Sequence, residues 1–475
     1  MILSLAQDDY NVVKQRIINK YIRLNLLDFN YNVVDEISGY LVDFNISCNA
    51  DSDLRRSCSV SMINTNGMFD VASGSRIFLN RYIQPYIGYE NIRTGEIQWY
   101  NQGIYLINSP SYQYDAVNNS ISFDALDLMS KLTGLRYGQL EGIPTVISQG
   151  ESVRDAIIST LALGGFTQYV VDECRLRDGG IQAVPYDIEI DQGGTLYDIL
   201  SKLRDILPQY QIYFDVDGVF HYEQIPSGED DPVLIDDDLI NKIIISESIN
   251  TDFESVKNYI EVYGKTHDID NYASEITVSG AVISLTISSL AQLAEYNMIG
   301  FTTPANAIEG NIQLNVNSTG AKNLVDGSGN YITHLDANTY YVAYYTANDT
   351  WEFMGHLQAK GVYSDTNPDS PFYVDGPVGK IRYVCCGGDY DNITSDELAL
   401  ERAKLEIYWR CRLQDNIGIN CVPVPWMDVN IIMSHAPKGG LEQNRYMIKS
   451  FSANYGSSAS MSITGITYYP YYPIV

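Results

Sequence analysis

The sequence predicts a mainly β fold with an α+β insertion. It comprises two tube-like β-barrel domains, a small α+β domain between them and a β-rich inserted domain. This prediction rests on three observations: long stretches of alternating polar and apolar residues, signals for two capped helices in the middle of the chain, and a near-repeat of one segment close to the two ends. The predicted domains are residues 1–136 with an N-terminal helix, 137–233, 234–267 together with 379–475, and the insertion 268–378.

The chain has an unusually large excess of acidic residues, which bears on the partners that it could bind. Its 475 residues include 59 acidic and 30 basic side chains, a formal net charge of −29. Nucleic-acid affinity comes mostly from cations that replace counterions along the phosphate backbone, so specific DNA binding is disfavoured. A surface past which DNA slides without sticking remains compatible with this charge. No apolar run approaches the ~20 residues that a membrane span requires, and we expect no stable membrane insertion.

The cysteines predict reduced thiols rather than disulfides or a metal site. The seven cysteines are an odd number, and no CxxC pair or Cys/His ligand spacing occurs among them. Cys48 and Cys58 fall at the apolar phase of predicted strands, where a free cysteine is a small buried hydrophobe. The N-terminus lacks the basic region of a signal peptide, so we expect synthesis in a cytoplasm without export by the usual route.

The first predicted barrel is dominated by strand signals. Apolar residues at Tyr40, Phe44 and Cys48 alternate with polar ones, and the alternation resumes from Arg56 to Met62 after the turn "NADSD". Further strand signals are "RYIQPYIGYE", "IQWYNQGIYLINS" after the turn "RTG", and "NSISFDAL". Several strands separated by turn signals predict a small barrel or sandwich.

Helix signals mark the second domain, residues 137–233. Ser152 with Asp155 resembles a capping box, and Thr195 with Asp198 repeats it ahead of a helix that Pro208 ends. The following "QIYFDVDGVFHYEQI" predicts two strands about a DG turn. The segment "PSGEDDP" indicates a linker to the next domain.

The last part of the chain predicts a second β domain with an insertion. The strands "VKNYIEVYG" and "GKIRYVCC" flank a block that has its own strand and turn signals. Thr394 with Glu397 predicts the start of a helix over "TSDELALERAKLEIYWRCRLQ", in which Arg402 and Glu406 are spaced for an i,i+4 ion pair. Strands resume at "IGINCVP" and continue to the final "NRYMIKSFSANYGSSASMSITGITYY".

Two segments near opposite ends of the chain nearly repeat each other. "YLINSPSYQY" at 105–114 and "YMIKSFSANY" at 446–455 share tyrosine, isoleucine, two serines and tyrosine in the same places, and "SIS" or "SMS" follows within about ten residues. Each copy predicts a hairpin, as if one barrel had been used twice. Chance similarity is the alternative, since tyrosine and serine are abundant in this chain.

Several motifs resemble the tail hub proteins of bacteriophages. They are "DLRRSCSVSM", "RYIQPYIGYENIRTGEIQWYNQGIYLINS", "DTNPDSPF", "DELALERAKLEIYW" and "PVPWMDVN". The family is related to the baseplate hub of contractile-tailed phages and to the N-terminal part of siphophage tail-associated proteins. The resemblance implies a homotrimer whose six barrels form a pseudo-sixfold ring under the sixfold tail tube and adapt it to a threefold tip.

The same resemblance implies the location and the partners. We expect a structural virion protein at the tail tip, made in the host cytoplasm and assembled with a distal tail or tube ring protein. A tape measure protein and a central fibre or tip protein complete the expected partners. DNA ejection would then proceed through the ring without specific binding, and an excess of acid suits such a lumen.

Two adjacent arginines stand out in a chain short of cations. Neighbouring strand residues face opposite sides, so Arg55 and Arg56 cannot both point inward. We hypothesise that at least one forms a bidentate pair with a carboxylate of the adjacent barrel or subunit; a solvated strand edge is the alternative. Trp99, Trp426 and Asp428 complete the candidate inter-barrel or intersubunit contacts. A packing anchor and a strand-end acceptor are the alternative roles of Trp426 and Asp428.

No catalytic residue, cofactor or metal ligand set is predicted. The "DVDG" segment has too few ligands for a calcium loop and indicates a hairpin turn. Two alternatives from other classes stay open: a tail-associated peptidoglycan or glycan hydrolase, and a receptor- or carbohydrate-binding protein acting through 268–378. The candidate sugar-stacking residues of that insertion are Tyr341, Tyr345 and Trp351. Because the chain stops soon after its last predicted strand, we expect lysis and receptor binding to belong to partner proteins.

Overall fold

The fold is mainly β, which confirms the predicted class. The computed structural model describes residues 7–72, 74–114, 119–142, 145–174, 183–184, 187–207, 209–438, 442–456 and 458–470. The chain forms two compact units. Within the described residues, the first unit comprises those up to Asp252 and those from Gln414 to 470, and the second unit is Phe253–Leu413.

The chain passes from the first unit into the second and then returns to the first. The first unit begins with α1 (Gln7–Val13), β1 (Lys20–Leu27), β2 (Val33–Ile37), β3 (Leu41–Asn49), β4 (Arg56–Ile63), β5 (Tyr82–Glu90), β6 (Ile97–Asn101), β7 (Tyr105–Tyr114) and β8 (Asn119–Asp127). It continues with β9 (Thr145–Ile147), α2 (Val153–Leu163), β10 (Tyr169–Val171), β11 (Ile188–Ile190), α3 (Leu196–Ile206), β12 (Tyr210–Phe214), β13 (Phe220–Gln224), β14 (Val233–Ile235), α4 (Asp237–Ile243) and β15 (Ile244–Asp252). The second unit contains β16 (Tyr259–Thr266), β17 (Glu275–Ser279), β18 (Val282–Thr286), β19 (Met298–Thr302), β20 (Ile308–Glu309), β21 (Gln313–Val316), β22 (Lys322–Val325), β23 (His334–Leu335), β24 (Tyr340–Tyr345), β25 (Trp351–His356), β26 (Gln358–Ser364), β27 (Arg382–Cys385) and α5 (Asp396–Arg410). The chain returns to the first unit with β28 (Gln414–Cys421), β29 (Ile432–His435), β30 (Asn444–Asn454) and β31 (Ser460–Thr467).

A single large sheet organises the first unit and contains strands from both ends of the chain. Its strand order is β15-β28-β31-β30-β3-β4-β8-β7-β5-β1-β2, with β6 beside β5, and with β29 beside β30 and β14. The two ends meet where β3 pairs antiparallel with β30. This joint connects the strands that the sequence assigns to the first and to the second barrel.

The large sheet is built from the same strand arrangement used twice. The order β3-β4-β8-β7-β5-β1 in the first repeat corresponds to β15-β28-β31-β30-β29-β14 in the second. The echoed segments form β7–β8 and β30–β31, two antiparallel hairpins, as the sequence predicts. One pairing differs at the end of the repeat, since β1 and β5 are antiparallel but β14 and β29 are parallel.

Irregularities of the pairing recur at equivalent places in the two repeats. The register shifts between Leu41 and Asp43 where β3 pairs β4, and between Ile244 and Ser246 where β15 pairs β28. Such a β-bulge adds one residue to a strand and increases its local twist. The bulge recurs at the start of β3 and of β15, which occupy equivalent places in the two repeats. This recurrence supports a true duplication over chance similarity.

One hydrophobic core joins the two repeats. Apolar side chains of β3, β4 and β8 and those of β28, β30 and β31 alternate with polar ones and point to the same side. Core residues contributed by both repeats are Phe44, Ile46, Val60, Phe123, Ile417, Ile419, Phe451 and Ile463. Full burial of one such side chain contributes about 1.5–3 kcal/mol, so this shared core stabilises the joint.

The α+β segment between β8 and β14 forms as its local signals predict. Ser152 caps α2 by accepting a hydrogen bond from the backbone N–H of Asp155, and Thr195 with Asp198 completes a capping box on α3. The strands β12 and β13 form the predicted hairpin about a DG turn. Pro208, the predicted end of α3, lies outside the described residues.

The second unit starts earlier and ends later than the predicted insertion. Segments 253–267 and 379–413, which the sequence places with the second barrel, group with 268–378. The reason is pairing: β16 lies between β26 and β27 in one sheet, and α5 packs against β16 and β26. A seven-stranded sheet, β17-β18-β21-β22-β25-β24-β19, forms the rest of this unit.

Helix α5 begins one residue later than predicted. Ser395, rather than Thr394, is the N-cap, and its hydroxyl accepts a hydrogen bond from the backbone N–H of Leu398. The predicted ion pair forms, with Arg402 Nε 3.1 Å from Glu406 Oε1. Arg410 Nε joins the other oxygen of Glu406 at 2.8 Å, so one buried carboxylate holds two arginines.

Candidate functional site

The polar side of the large sheet is a continuous field of small hydroxyl and amide side chains, which we call the serine face. It is the side opposite the shared core and is formed by both repeats. Its residues are Asp43, Asn45, Ser47, Asn49, Ser57, Ser59, Ser61, Ser111, Ser122, Asp124, Ser246, Ser248, Asn420, Ser450, Ser452, Asn454, Ser460, Ser462 and Thr464.

Strand register aligns these side chains into rows that cross the joint between the repeats. One row runs through directly opposed residues on neighbouring strands: Ser246, Asn420, Ser462, Ser452, Ser47 and Ser57. Two adjacent pairs of this row are joined by their side chains, with Asn420 Nδ2 donating to Ser246 at 3.0 Å and the Ser47 and Ser452 hydroxyls 3.3 Å apart. Two grooves lie along the face and both are lined in part by β3 and β4. One extends to β7 and β8, and the other, which Arg55 also lines, extends to β30 and β31.

The serine face is almost uncharged. Asp43 and Asp124 are the two charged members of the set, and its other members are serine, threonine or asparagine. Phosphate is attracted by cations and repelled by carboxylates, so a hydroxyl surface with two carboxylates holds DNA weakly.

Arg55 and Arg56 both reach Asp428, a residue of the second repeat. Arg56 Nη2 lies 2.6 Å from Asp428 Oδ2, and Arg55 Nη2 lies 3.4 Å from Asp428 Oδ1. Each arginine thus offers one nitrogen to a different oxygen, which differs from the bidentate fork that we hypothesised. Both guanidinium groups are buried, with side-chain exposures of 5% and 4%.

The electrostatics of this cluster favour a charged Asp428. Burial raises the pKa of the Asp428 carboxyl, but the attraction of Arg56 and Arg55 and a hydrogen bond from the Val429 backbone outweigh it, so its pKa lies below the usual range. The Arg56 backbone N–H also donates to Asp127 at 3.0 Å. Removal of one partner from such a buried ion pair destabilises a protein by about 3–5 kcal/mol.

Arg55 extends the cluster into the α+β segment. Its Nη1 donates to Gln211 Oε1 at 3.0 Å, and its guanidinium lies 3.9 Å from the centre of the Tyr213 ring. The ring of His221 also stacks on the Tyr213 ring, with a centroid distance of 5.0 Å and an interplanar angle of 11°. Gln211 also accepts from Asn430 Nδ2 at 2.7 Å, so three segments of the chain meet at this point.

The two tryptophans take different positions. Trp426 is buried, and its ring contacts Tyr10 and Tyr100 at centroid distances of 5.4 and 5.8 Å. Trp99 lies on β6, half-buried, with the guanidinium of Arg23 4.4 Å from its ring centre. Trp426, two residues before Asp428, thus packs α1 against the second repeat. Trp99 belongs to a surface of the first repeat.

The candidate sugar-stacking residues of the second unit are mainly core residues. Trp351 is fully buried and Tyr341 is 4% exposed, and both belong to the hydrophobic core of this unit. Neither ring has a face that a sugar could cover, because apolar side chains already occupy it. Tyr345 is half-buried and packs on Trp351 at a centroid distance of 5.3 Å. This placement corrects the stacking prediction for Trp351 and Tyr341.

Cysteines, acidic side chains and helices are the other features that could form a site. All seven cysteines are free thiols, and Cys48 and Cys58 are buried as predicted. Over the described ranges, His, Cys, Asp and Glu side chains do not gather in groups of three or more that could hold a metal ion. In the "DVDG" turn, the Asp215 carboxylate accepts from the backbone N–H groups of Asp217 and Val219. Among the helices that the structure describes, none is long and apolar enough to span a membrane.

The sequence analysis named Asp428 with Arg55 and Arg56 among the candidate contacts without pairing them, and it did not find the serine face or Gln211. The signal for the face is present in the alternation of "SCSVSM", "SISF" and "SMSIT", where every second residue is serine. Alternation predicts a polar side of a sheet but not which strands share it. Gln211 and Asp428 lie far from Arg55 in the sequence, so spacing could not predict these contacts.

Comparisons with known proteins find similar folds in two tail proteins of known structure. A family model described as a domain of unknown function (DUF5048) matches residues 369–472. No curated protein matches the chain by sequence. The chain is similar in structure to the prophage MuSo2 43 kDa tail protein from Shewanella oneidensis, with 10% identity over 94% of this chain and 98% of that protein and a TM-score of 0.52. The tail protein from Neisseria meningitidis MC58 is also similar, with 9% identity, 95% and 100% coverage, and a TM-score of 0.51.

Proposed function

We propose that the chain is a structural component of a phage tail, a homotrimeric ring at the tail tip that adapts the sixfold tube to a threefold tip. The duplicated strand order of the large sheet carries this proposal. Two equivalent repeats in one chain supply six similar units from three copies, which is what a threefold ring needs to meet a sixfold partner. The similar fold of two tail proteins, one of them from a prophage, supports the same assignment.

The serine face would line the channel of this ring. It spans both repeats without interruption, so six copies of the pattern would surround an axis. Its small hydroxyl side chains and few charges would let the tape measure protein and then DNA pass without adhering. The ring would act without chemistry of its own, by holding the end of the tube and opening with the tip.

The Arg55, Arg56 and Asp428 cluster would fix the angle between the two repeats of each subunit. A ring closes only if every repeat meets the next at the same angle. Buried guanidinium groups anchored on one carboxylate, one backbone carbonyl and Gln211 set such an angle more tightly than apolar packing alone. Trp426 and Trp99 would contribute packing on the two repeats, and Trp99 is the more exposed candidate for contact with a neighbouring subunit.

The proposed partners are those of a tail tip. A distal tail or tube ring protein would bind the sixfold side, and a central fibre or tip protein would bind the threefold side. Antibody labelling of purified tails in electron micrographs tests this location. We expect label at the distal end of the tube. Label along the tube, at the head-proximal end or on no part of the particle would contradict the proposal.

A further inference from the structure

Among the strand edges of the first unit that lack a strand partner within the described residues, two correspond to the edges that meet in the β3–β30 joint. The first is the outer edge of β15, the last strand of the path through the large sheet. The second is the distal half of β7, because β5 pairs only with Tyr105 and Leu106 at the start of that strand. Residues 109–114 of β7 are exposed. Long unpaired strand edges are templates for pairing with another chain.

These two edges are the counterparts of the two that already pair inside the chain. In the duplicated order, β15 corresponds to β3 and β7 corresponds to β30. Within one chain, the edge strand β3 of the first repeat pairs with the hairpin strand β30 of the second. The equivalent strands, β15 of the second repeat and the distal half of β7 of the first, have no such partner within the described residues. The chain therefore forms one joint internally and carries both strands needed for a second, equivalent joint.

We propose that β15 of one copy pairs antiparallel with the distal half of β7 of a second copy of this chain, in the register of the β3–β30 joint. This inference rests on the proposed function and names the subunit contact that would build the ring. Such a contact is head-to-tail, because the two partners offer different strands. A head-to-tail contact closes into a ring if its rotation permits. Closure after three copies would alternate the internal joint with the proposed one.

The duplicated bulges and hairpins define the register. Asp43 faces Ser61 just after the bulge of β3, and Ser246 faces Asn420 just after the bulge of β15. Counting from these residues makes Asn250 the equivalent of Ser47. In the echoed hairpins, Ser111 faces Ser122 as Ser452 faces Ser462, which makes Ser111 the equivalent of Ser452.

Asn250 therefore lies opposite Ser111 of the neighbour, as Ser47 lies opposite Ser452 within the chain. One position departs from the internal joint. Pro110 stands where the second repeat has Phe451, and a proline has no N–H for the ladder. The proposed joint is thus shorter by one hydrogen bond than its internal counterpart. A proline on an exposed edge also disfavours pairing with unrelated strands.

Paired cysteines test the register directly. The backbone hydrogen bonds from Ala50 N–H to the Lys449 carbonyl and from Tyr455 N–H to the Phe44 carbonyl place Ser47 and Ser452 at a non-hydrogen-bonded position. Opposed residues there have Cα atoms about 4.5 Å apart, which suits a disulfide. Asn250→Cys combined with Ser111→Cys in the full chain should give oxidant-dependent bands up to three chain masses on a non-reducing gel. Ser47→Cys with Ser452→Cys is the matched internal control and should cross-link within one chain.

The controls separate this inference from the proposed function. Each single variant and the unchanged chain measure the background from the native thiols, and Asn250→Cys with Gln113→Cys tests a register two residues away. The proposed joint is overturned if light scattering shows a trimer and the internal control pair forms its disulfide, but Asn250→Cys and Ser111→Cys form none. That result would leave the trimeric ring unaffected. A preparation that is monomeric at all concentrations contradicts the ring itself. Covalent dimers without trimers contradict closure after three copies.

Discussion

Arg56 and Asp428, from opposite ends of the chain, form a buried ion pair with 2.6 Å between Nη2 and Oδ2. The pair joins the start of β4 in the first repeat to the segment that precedes β29 in the second. Arg55 contacts the same carboxylate, so both guanidinium groups at this joint are in contact with Asp428.

Replacement of Asp428 by asparagine should destabilise the first unit strongly. Asparagine keeps the size of the side chain but removes the negative charge that both buried guanidinium groups contact. We expect a loss of about 3–5 kcal/mol in the free energy of unfolding, measured by chemical denaturation. Asp238→Asn is the matched control, because Asp238 pairs with Lys14 and Lys242 at the surface. An exposed pair contributes about 1 kcal/mol or less. Equal losses in the two variants would contradict the role of the buried cluster.

The His221 site predicts a pH dependence of stability. Burial lowers the pKa of His221, but its hydrogen bond to Asp215 and the nearby Glu223 outweigh burial and raise the pKa to about 9. Nε2 lies 3.0 Å from Asp215, whereas Nδ1 is 3.6 Å from Glu223, an ion-pair distance. The pKa of histidine in an unfolded chain is about 6.5. The stabilisation by protonated His221 is therefore complete below that pH and is lost as pH rises through about 9.

We expect the free energy of unfolding to fall between these pH values in the unchanged chain. In a His221→Gln variant the decline should be smaller, because the group that titrates in this window is gone. Denaturation curves at half-unit pH steps measure both slopes. Identical slopes in the two proteins would show that His221 is neutral in the folded state.

Trp351 and Tyr345 should respond differently to truncation although their rings are in contact. Trp351→Ala removes a fully buried ring from the core of the second unit, and the expected loss is about 3–5 kcal/mol. Tyr345→Phe removes only the hydroxyl that donates to Asp349 at the surface and should change stability by about 1 kcal/mol or less. Thermal unfolding of the two variants measures the difference. A mild effect of Trp351→Ala would reopen the possibility that this ring is available to a ligand.

Helix α5 offers a test of the corrected N-cap. Ser395→Ala removes the oxygen that accepts from the Leu398 backbone N–H, and we expect a loss of about 1 kcal/mol. Ser395→Asp keeps a capping oxygen and should stay within about 0.5 kcal/mol of the unchanged chain. Equal losses in both variants would mean that the helix is capped by another group.

Local signals in the sequence predicted the local structure well. The N-cap at Ser152, the capping box at Thr195 and the DG hairpin depend on contacts between residues a few positions apart, which the sequence displays directly. The echoed hairpins were also predictable because the strands of each hairpin are neighbours in the chain. The one-residue error at α5 arose because Thr394 and Ser395 are both good N-caps, and backbone conformation chose between them.

Contacts between distant segments could not be predicted in the same way. The pairing of β3 with β30 depends on which of several polar, serine-rich strands meets which, and alternation alone specifies a face rather than a neighbour. The partner of Arg55 and Arg56 was a choice among 59 acidic residues. The boundary of the second unit was misplaced because β16 and β27 look like barrel strands until their pairing with β26 is known.

The mass of the purified full chain in solution, determined by light scattering, tests the central claim most directly. The claim is that duplicated repeats build a threefold ring that presents six equivalent units. We predict a species of three chain masses that persists on dilution, and three copies per particle where particles are purified. A monomer, a dimer or six copies per particle would contradict the ring.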